Sequence, residues 1–406
     1  MNLGLFEDNG WRNLLPLTYL RACFELRCGR DRLCDKVQTH FGRPIARSWM
    51  REQIAAVVTA RCEFAASDAG DWCLVNARAF VTADQAPPAP GKAWIVDGEL
   101  IAAGFAAADI EHLKPETLLR DDGIRELLSS LQTGPSPAGI RLIKYPWELP
   151  LLNGDELRRQ CTEGGNHDGR IHGGVHLLNP AAIHVAADAV IKPGTVLDAE
   201  SGPIHIDADV TIEPNCVIQG PCHIGRGSLV QPGSSIRHDT SIGPVCKVGG
   251  EIEASIIHGY SNKQHDGFLG HSYVGQWVNL GADTVTSDLK NTYGTIRVHL
   301  NGRSVETGER FVGSIIGDHT KTGIGTILPT GCVLGTASNV FTRGAVPNFV
   351  PSFSWLTSEG MTDFRIDKAI EIARTVMARR KVDLTRDEEE LIRQTAELAR
   401  RIESPG

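Results

Sequence analysis

A parallel β-helix, preceded by an α/β domain and followed by two α-helices, is the fold class that this sequence predicts. The first observation behind it is a ladder: Ile or Val stands at every sixth residue through Ile206, Ile212, Ile218, Ile224, Val230, Ile236, Ile242 and Val248. A period of six with Gly, Pro, Asp and Ser between the rungs matches neither the 3.6 of a helix nor the alternation of hairpins. It is the repeat of a solenoid in which each hexad supplies one short strand and one corner, so the aliphatic side chain points inward and the turn residues face water. The second and third observations are the alternation of short apolar runs with helical patterns upstream, and an Ala-, Arg-, Glu- and Leu-rich composition downstream.

The ladder extends beyond its unbroken part. Val185, Ile191 and Leu197 keep the same spacing, and an insertion around Ser201 and Gly202 resets the frame before Ile206. The frame returns at Val274 and Leu280, and again at Ile316, Thr322, Leu328 and Leu334, so the solenoid is expected over 171–345. Between Val248 and Val274 the sixfold register breaks. Periodicity alone also allows a spacer or trimerisation rod.

Residues 1–140 carry the apolar runs Cys73 to Val75 and Trp94 to Val96 and helical patterns over Met50 to Val58 and Ile124 to Leu131, which predict an α/β domain. Thr133, Gly134, Pro135, Ser136 and Pro137 punctuate its end. Residues 141–170 read as a linker with a helical stretch around Asp155 to Arg159, and 346–406 as a helical region. Ile366, Ile370, Ala373, Val376 and Met377 give helical spacing. Thr385 with Glu388 three residues later forms a capping box for a second helix.

At 406 residues the chain is long enough for several domains, and 41 basic against 49 acidic side chains, a formal charge of −8, exclude a generic nucleic-acid binder. The ten cysteines include no CxxC pair and read as reduced, mostly buried thiols, with Cys216 and Cys222 on different faces. No apolar stretch is long enough to span a bilayer and no leader pattern opens the chain, so no membrane partner and a cytoplasmic location are expected.

A solenoid has smooth walls, so chemistry is expected where its regularity fails. The segment from Gly259 to Ser272 concentrates polar groups there. In it His265 belongs to a residue type suited to proton abstraction near neutral pH, and Lys263 offers a cation for a phosphate or pantetheine group. His205 and His223 are separated by three hexads and so stack in adjacent coils; with no third ligand converging on them they read as an exposed ladder rather than a metal site.

The stretch from Ser261 to Asn291, with His265, Phe268, Gly270 and then Asn279, Leu280, Gly281, Ala282, Asp283 and Thr284 in order, resembles the acetyltransferase region of the bifunctional N-acetylglucosamine-1-phosphate uridylyltransferase/glucosamine-1-phosphate acetyltransferase family. Ile316 to Gly323 resembles a later coil of that family. The resemblance implies a left-handed β-helix, a homotrimer with sites between subunits, and acetyl-CoA as co-substrate. Matched residue by residue, it implies His265 as general base, Asn279 and Asp288 as acceptor contacts, and Ala282 and Thr322 as CoA contacts. Phe268 stands where the family has Tyr, Asp288 where it has Asn, and Glu253 where it has a phosphate-binding Lys.

More remotely, Leu15, Pro16, Leu17 and Thr18 resemble the segment after the nucleotide loop of sugar-phosphate nucleotidyltransferases. That resemblance implies UTP and Mg²⁺, with Arg12, Thr18, Arg21 and Arg27 as candidates for phosphate binding and the metal ligands unassigned. The loop Phe6 to Arg12 has one Gly where the family has several, and Cys73 to Arg78 lacks the expected metal-binding Asp. The reading is therefore nucleotide-sugar precursor synthesis: N-acetylation of an amino-sugar phosphate such as glucosamine-1-phosphate, with uridylyl transfer. Nucleotidyl transfer alone and a non-catalytic sugar-nucleotide-binding scaffold are the alternatives.

Overall fold

A computed structural model describes residues 1–403, and the chain divides into two compact units. The first comprises Met1–Leu26 with Asp31–Tyr145; the second comprises Arg27–Arg30 with the chain from Pro146 onward.

In the first unit a six-stranded sheet runs in the order Ile45–Trp49, Asn2–Phe6, Trp72–Asn76, Glu99–Phe105, Lys92–Val96, Gln132–Pro135. The first three strands are parallel and Glu99–Phe105 is antiparallel to Trp72–Asn76. Asn2–Phe6 and Trp72–Asn76 are buried along their whole length, as strands covered on both sides require. Trp49 and Trp72 meet edge to face at 5.5 Å within that core.

The second unit is the solenoid. Three parallel sheets wrap its axis: face I from Arg170–Ile171 to Asn262–Lys263, face II from His176–Leu178 to Phe268–Gly270, and face III from Ile183–Val185 to Phe349–Val350. Ile212 pairs with Val230 and Val230 with Val248, so the regular coil is three hexads. Every rung of the ladder from Ile206 to Val248 is 0 % exposed, and together they form one continuous interior. Each such side chain withdraws from water at a gain of roughly 1.5–3 kcal/mol. The corners need left-handed backbone, which Asp188, Asp209, Asn215, Asp239 and several glycines supply.

The expected break between Val248 and Val274 is not a break in the fold. Val248 pairs with Lys263, Ile252 with Leu269 and Ile257 with Val274, so the coils continue but fall short of three full hexads. Counting in sixes fails because the corners are trimmed, and because the inward place after Val248 belongs to a lysine. The true excursion comes later. The chain leaves the wall after Asp288, makes the hairpin Arg297–Leu300 with Arg303–Glu306, and returns at Phe311, its neck closed by a bridge between Leu289 and Phe311.

His205 and His223 pair in adjacent coils, as their spacing predicts, but they are not an exposed ladder. Each is 3 % exposed, His184 stacks on His205 at 4.2 Å, and Asp207 accepts from both. The helix Glu148–Gln160 packs on face III: Asn153 donates to the Asp239 carbonyl at 2.8 Å and accepts from Ser241 at 3.0 Å. Gly154 permits the close approach, because a Cβ there would lie 1.9 Å from Asp239 Oδ1. A sequence period sees one coil face but not the helix laid over it.

Asn339–Phe341, just before the last strand of face III, pairs with Ser354–Thr357, which turns back on Gly360–Asp363. The helices Ile366–Ala378 and Arg386–Glu403 follow, the second with the expected reciprocal cap, Glu388 N–H to Thr385 Oγ1 at 3.2 Å and Thr385 N–H to Glu388 at 2.9 Å. No described helix is long and apolar enough to cross a membrane.

Candidate functional site

Asn262 bridges Asn279, one coil further on, and that register brings His265 level with Ala282 at the corner between faces I and II. His265 is exposed. Asn279 lies around the same corner, exposed on the outer side of face I, where it accepts from Asn262 at 3.3 Å. Three of the residues singled out in the sequence are therefore neighbours on one edge. Lys321 is the next residue outward after Asn279 on face I, and Arg380, from the turn after the helix Ile366–Ala378, donates to Asn262 at 2.6 Å.

Two others face the wrong way. Lys263 occupies an inward place, 3 % exposed, and its ammonium donates to the carbonyls of Gly249 at 2.9 Å and His265 at 2.7 Å. Burial pulls that ammonium down to about 8, against the pull of Asp266 and Asp283. It does not reach outward to a phosphate or pantetheine group. Thr322 is a rung of the interior ladder, 4 % exposed, with its hydroxyl bonded to Gly281 N–H and Thr284. It is not placed to touch CoA.

Asp288 is not open to an acceptor either. Its carboxylate sits 2.8 Å from Nδ1 of His271, at the corner between faces II and III, and the ring of Phe311 stacks on that imidazole at 5.0 Å. Gly270 makes room for it, since a Cβ there would lie 2.3 Å from Asp288 Oδ2 and 2.4 Å from the Phe268 ring. The sequence reading passed over His271. Its signal was the spacing to Asp288, the same as that between Asn262 and Asn279. Glu253, where the resemblance expects a cation, is held by Arg237 at 2.7 Å and His238 at 3.2 Å, so this wall is a mixture of both charges.

In the first unit, ligands of such sheets enter at the carboxyl ends of parallel strands. Here those ends are filled by the protein itself. Glu7 pairs with Arg51 at 3.4 Å, and Asp8 accepts from Arg78 Nε and from Asn76, each at 2.8 Å. Arg78 also reaches Glu99 at 2.6 Å. Of the candidates for phosphate binding, Arg12 is exposed, whereas Thr18 is 0 % exposed and bonded to the Trp11 carbonyl, and Arg21 is 2 % exposed. Neither buried residue presents a side chain to a nucleotide. Arg27 belongs to the second unit, its N–H bonded to the Tyr273 hydroxyl at 2.9 Å. A divalent cation does not fit this set. Glu7, Asp8 and Glu99 are each committed to a guanidinium, and no cluster of three or more acidic, His or Cys ligands occurs among the described residues.

Comparison with known proteins places these units. Residues 3–163 match the family described as sugar nucleotidyl transferase, and residues 203–238 match the bacterial transferase hexapeptide repeats, which carry the left-handed sense of the β-helix. A bifunctional protein GlmU of Heliobacterium modesticaldum is 26% identical over 284 residues, covering 64% of this chain and 56% of that protein. A bifunctional sugar-1-phosphate nucleotidylyltransferase/acetyltransferase of Sulfurisphaera tokodaii is 32% identical over 149 residues, 36% of this chain and 37% of that protein. The chain thus spans about half the length of the curated relatives it matches, or less. A solved UDP-N-acetylglucosamine acyltransferase from Campylobacter jejuni aligns at 12% identity and a TM-score of 0.22, over 55% of this chain and 95% of that one. The chain is therefore similar to the sugar nucleotidyl transferase family over residues 3–163 and to the bacterial transferase hexapeptide repeats over residues 203–238.

Proposed function

We propose that the protein is a cytoplasmic transferase of nucleotide-sugar precursor synthesis whose solenoid transfers an acetyl group from acetyl-CoA to the amine of an amino-sugar phosphate such as glucosamine-1-phosphate. The observation that carries this reading is the bridge between Asn262 and Asn279, whose register sets the exposed His265 level with Ala282 in the next coil. An amine is mostly protonated near neutral pH, so attack on a thioester needs a base, and His265 is exposed where one is required. Backbone N–H groups at Ala282 would face the thioester oxygen as it gains charge. Ile324 and Ile327, 63% and 58% exposed, lie in the coil stacked on Ala282 and Val285 and offer an apolar strip to the pantetheine arm. Arg380 supplies on face I positive charge for a sugar phosphate that Glu253 does not, whereas the Lys321 ammonium is turned back onto the His319 carbonyl at 2.8 Å. Completion of the corner by a neighbouring subunit of a homotrimer belongs to the same proposal.

For the first unit the reading is binding of a nucleotide sugar or UTP, with uridylyl transfer following from its family. The Asp8–Arg78–Glu99 network, closed around a buried guanidinium, favours a second version, in which this unit binds without transferring. Incubation with acetyl-CoA and glucosamine-1-phosphate, then with UTP and Mg²⁺, separates these. Thiol release followed by pyrophosphate release supports both activities, and thiol release alone supports the second version. No thiol release, or equal release from His265→Ala, removes the acetyl-transfer proposal as stated.

A further inference from the structure

We propose that His271, oriented by Asp288, is a second proton-transfer group of the acyl transfer, acting on an acceptor that lies across face II; this rests on the acetyl-transfer reading above. The imidazole is gripped on two sides by the neck of the Leu289 to Phe311 excursion: Asp288, the last wall residue before it, meets Nδ1 at 2.8 Å, and Phe311, the last residue within it, stacks on the ring at 5.0 Å. A carboxylate on Nδ1 fixes the tautomer that leaves Nε2 with its lone pair, the arrangement of a base held by its orienter. Nε2 has no protein partner among the described residues and is not sealed from solvent. His265 has no such orienter among the described residues.

Three further features fit a built site rather than a chance contact. His271 adopts left-handed backbone, φ 43°, at a corner where the coils below carry Asp239 and Ala254. Gly270 keeps the space for the carboxylate. Phe268, folded over Gly270 on the outer side of face II, gives the acceptor a hydrophobic floor between the two histidine edges. In the reaction, His265 takes the first proton from the acceptor ammonium, and Nε2 of His271 takes the second as the nitrogen bonds to the thioester carbonyl carbon. The tetrahedral adduct then expels the thiolate with cleavage of the C–S bond, and the imidazolium returns the proton to sulfur. Asp288 is the positioning residue and keeps its charge throughout.

The test uses the full chain, acetyl-CoA and glucosamine-1-phosphate, reading thiol release. Asn tolerates the left-handed corner, so His271→Asn is expected to keep the fold and to lower kcat by about 100-fold with little change in KM for acetyl-CoA. Added imidazole should restore part of the rate. Asp288→Asn should lower kcat by about 10-fold and, in ¹⁵N spectra of histidine-labelled protein, abolish a fixed Nδ1–H tautomer at His271. Retention of kcat within about threefold in His271→Asn, or a tautomer already averaged in the wild type, overturns the proposal and leaves acetyl transfer at His265 intact. No thiol release from the wild type overturns both.

Discussion

The Lys263 ammonium donates at 2.7 Å to the carbonyl of His265, so a cation inside the coil anchors the backbone of the candidate base outside it. The same ammonium bonds the Gly249 carbonyl at 2.9 Å. Lys263→Met keeps the volume and removes both bonds. It leaves two carbonyls short of partners at a cost of about 1–3 kcal/mol, while sparing the protein a buried cation. The expected result is a modestly lowered urea midpoint together with a drop in kcat, because the corner loses its tether. A variant with wild-type kcat would show that the tether does not hold His265 in place.

Arg380 predicts a split in acceptor affinity. With a sugar phosphate facing it across face I, Arg380→Ala loses a charge-assisted bond worth about 1.5–3 kcal/mol, or roughly 10–100-fold in KM for a phosphorylated acceptor. KM for the unphosphorylated amino sugar should stay within about threefold. Equal effects on both acceptors would place the phosphate elsewhere. Raising salt should weaken binding of the phosphorylated acceptor only.

Much of the fold was legible because the sixfold ladder is a direct image of one inward side chain per face. Ile206 to Val248 needed no other information. The candidate site was less legible, since it sits where the coils fall short of three hexads and the count in sixes runs out of phase. That slip hid the inward turn of Lys263 and the pairing of His271 with Asp288, although both follow once the shorter coils are counted as they run. Thr322 is the opposite case: the ladder places it inside, where it is 4 % exposed, whereas the family resemblance implies a CoA contact outside. The burial of His205 and His223 was beyond any repeat count, because neighbours come from outside the coils: the helix Glu148–Gln160 packs on the strand of His223, and Arg30 acts on both imidazoles.

Those histidines make stability depend on acid. Burial pulls His205 and His223 below the ordinary histidine range, against their bonds to Asp207, with Arg27 and Arg30 adding to the depression. His184, stacked beside them and facing Glu163 and Arg30, is lowered by burial too. Burial alone would raise the Asp207 carboxyl, but its bonds to His205 and His223 outweigh that and hold it well below the usual carboxylate range. The unfolded chain takes up protons at these histidines near pH 6.5 while the folded chain does not, so stability falls as pH drops below that value. The limiting slope is about 1.4 kcal/mol per pH unit for each histidine. Below about pH 3.9 the Asp207 contribution is lost as well. Thermal midpoints should fall from pH 7.5 to 5, and His223→Gln should flatten that fall. An unchanged slope in the variant would assign the acid sensitivity to other groups.

Arg78 should behave as the keystone of the first unit. It is 2 % exposed and bonds Asp8, Glu99 and the Ile143 carbonyl, and a Cβ at Gly10 would lie 2.3 Å from its Cζ. Removing one partner of a buried pair leaves the other charge uncompensated, so Arg78→Met is expected to cost about 3 kcal/mol in urea unfolding followed by tryptophan fluorescence. Asp8 is the more enclosed of its two acids, 13% exposed against 36% for Glu99, and carries most of that penalty. Combining Arg78→Met with Asp8→Asn should therefore recover a large part of the loss, which a double-mutant cycle reads as coupling. Additive losses would mean that the network is not what closes the strand ends. Coupling with unchanged UTP binding would locate the nucleotide away from them, whereas UTP binding that strengthens as the network is dismantled would show that these side chains occupy the nucleotide's own place.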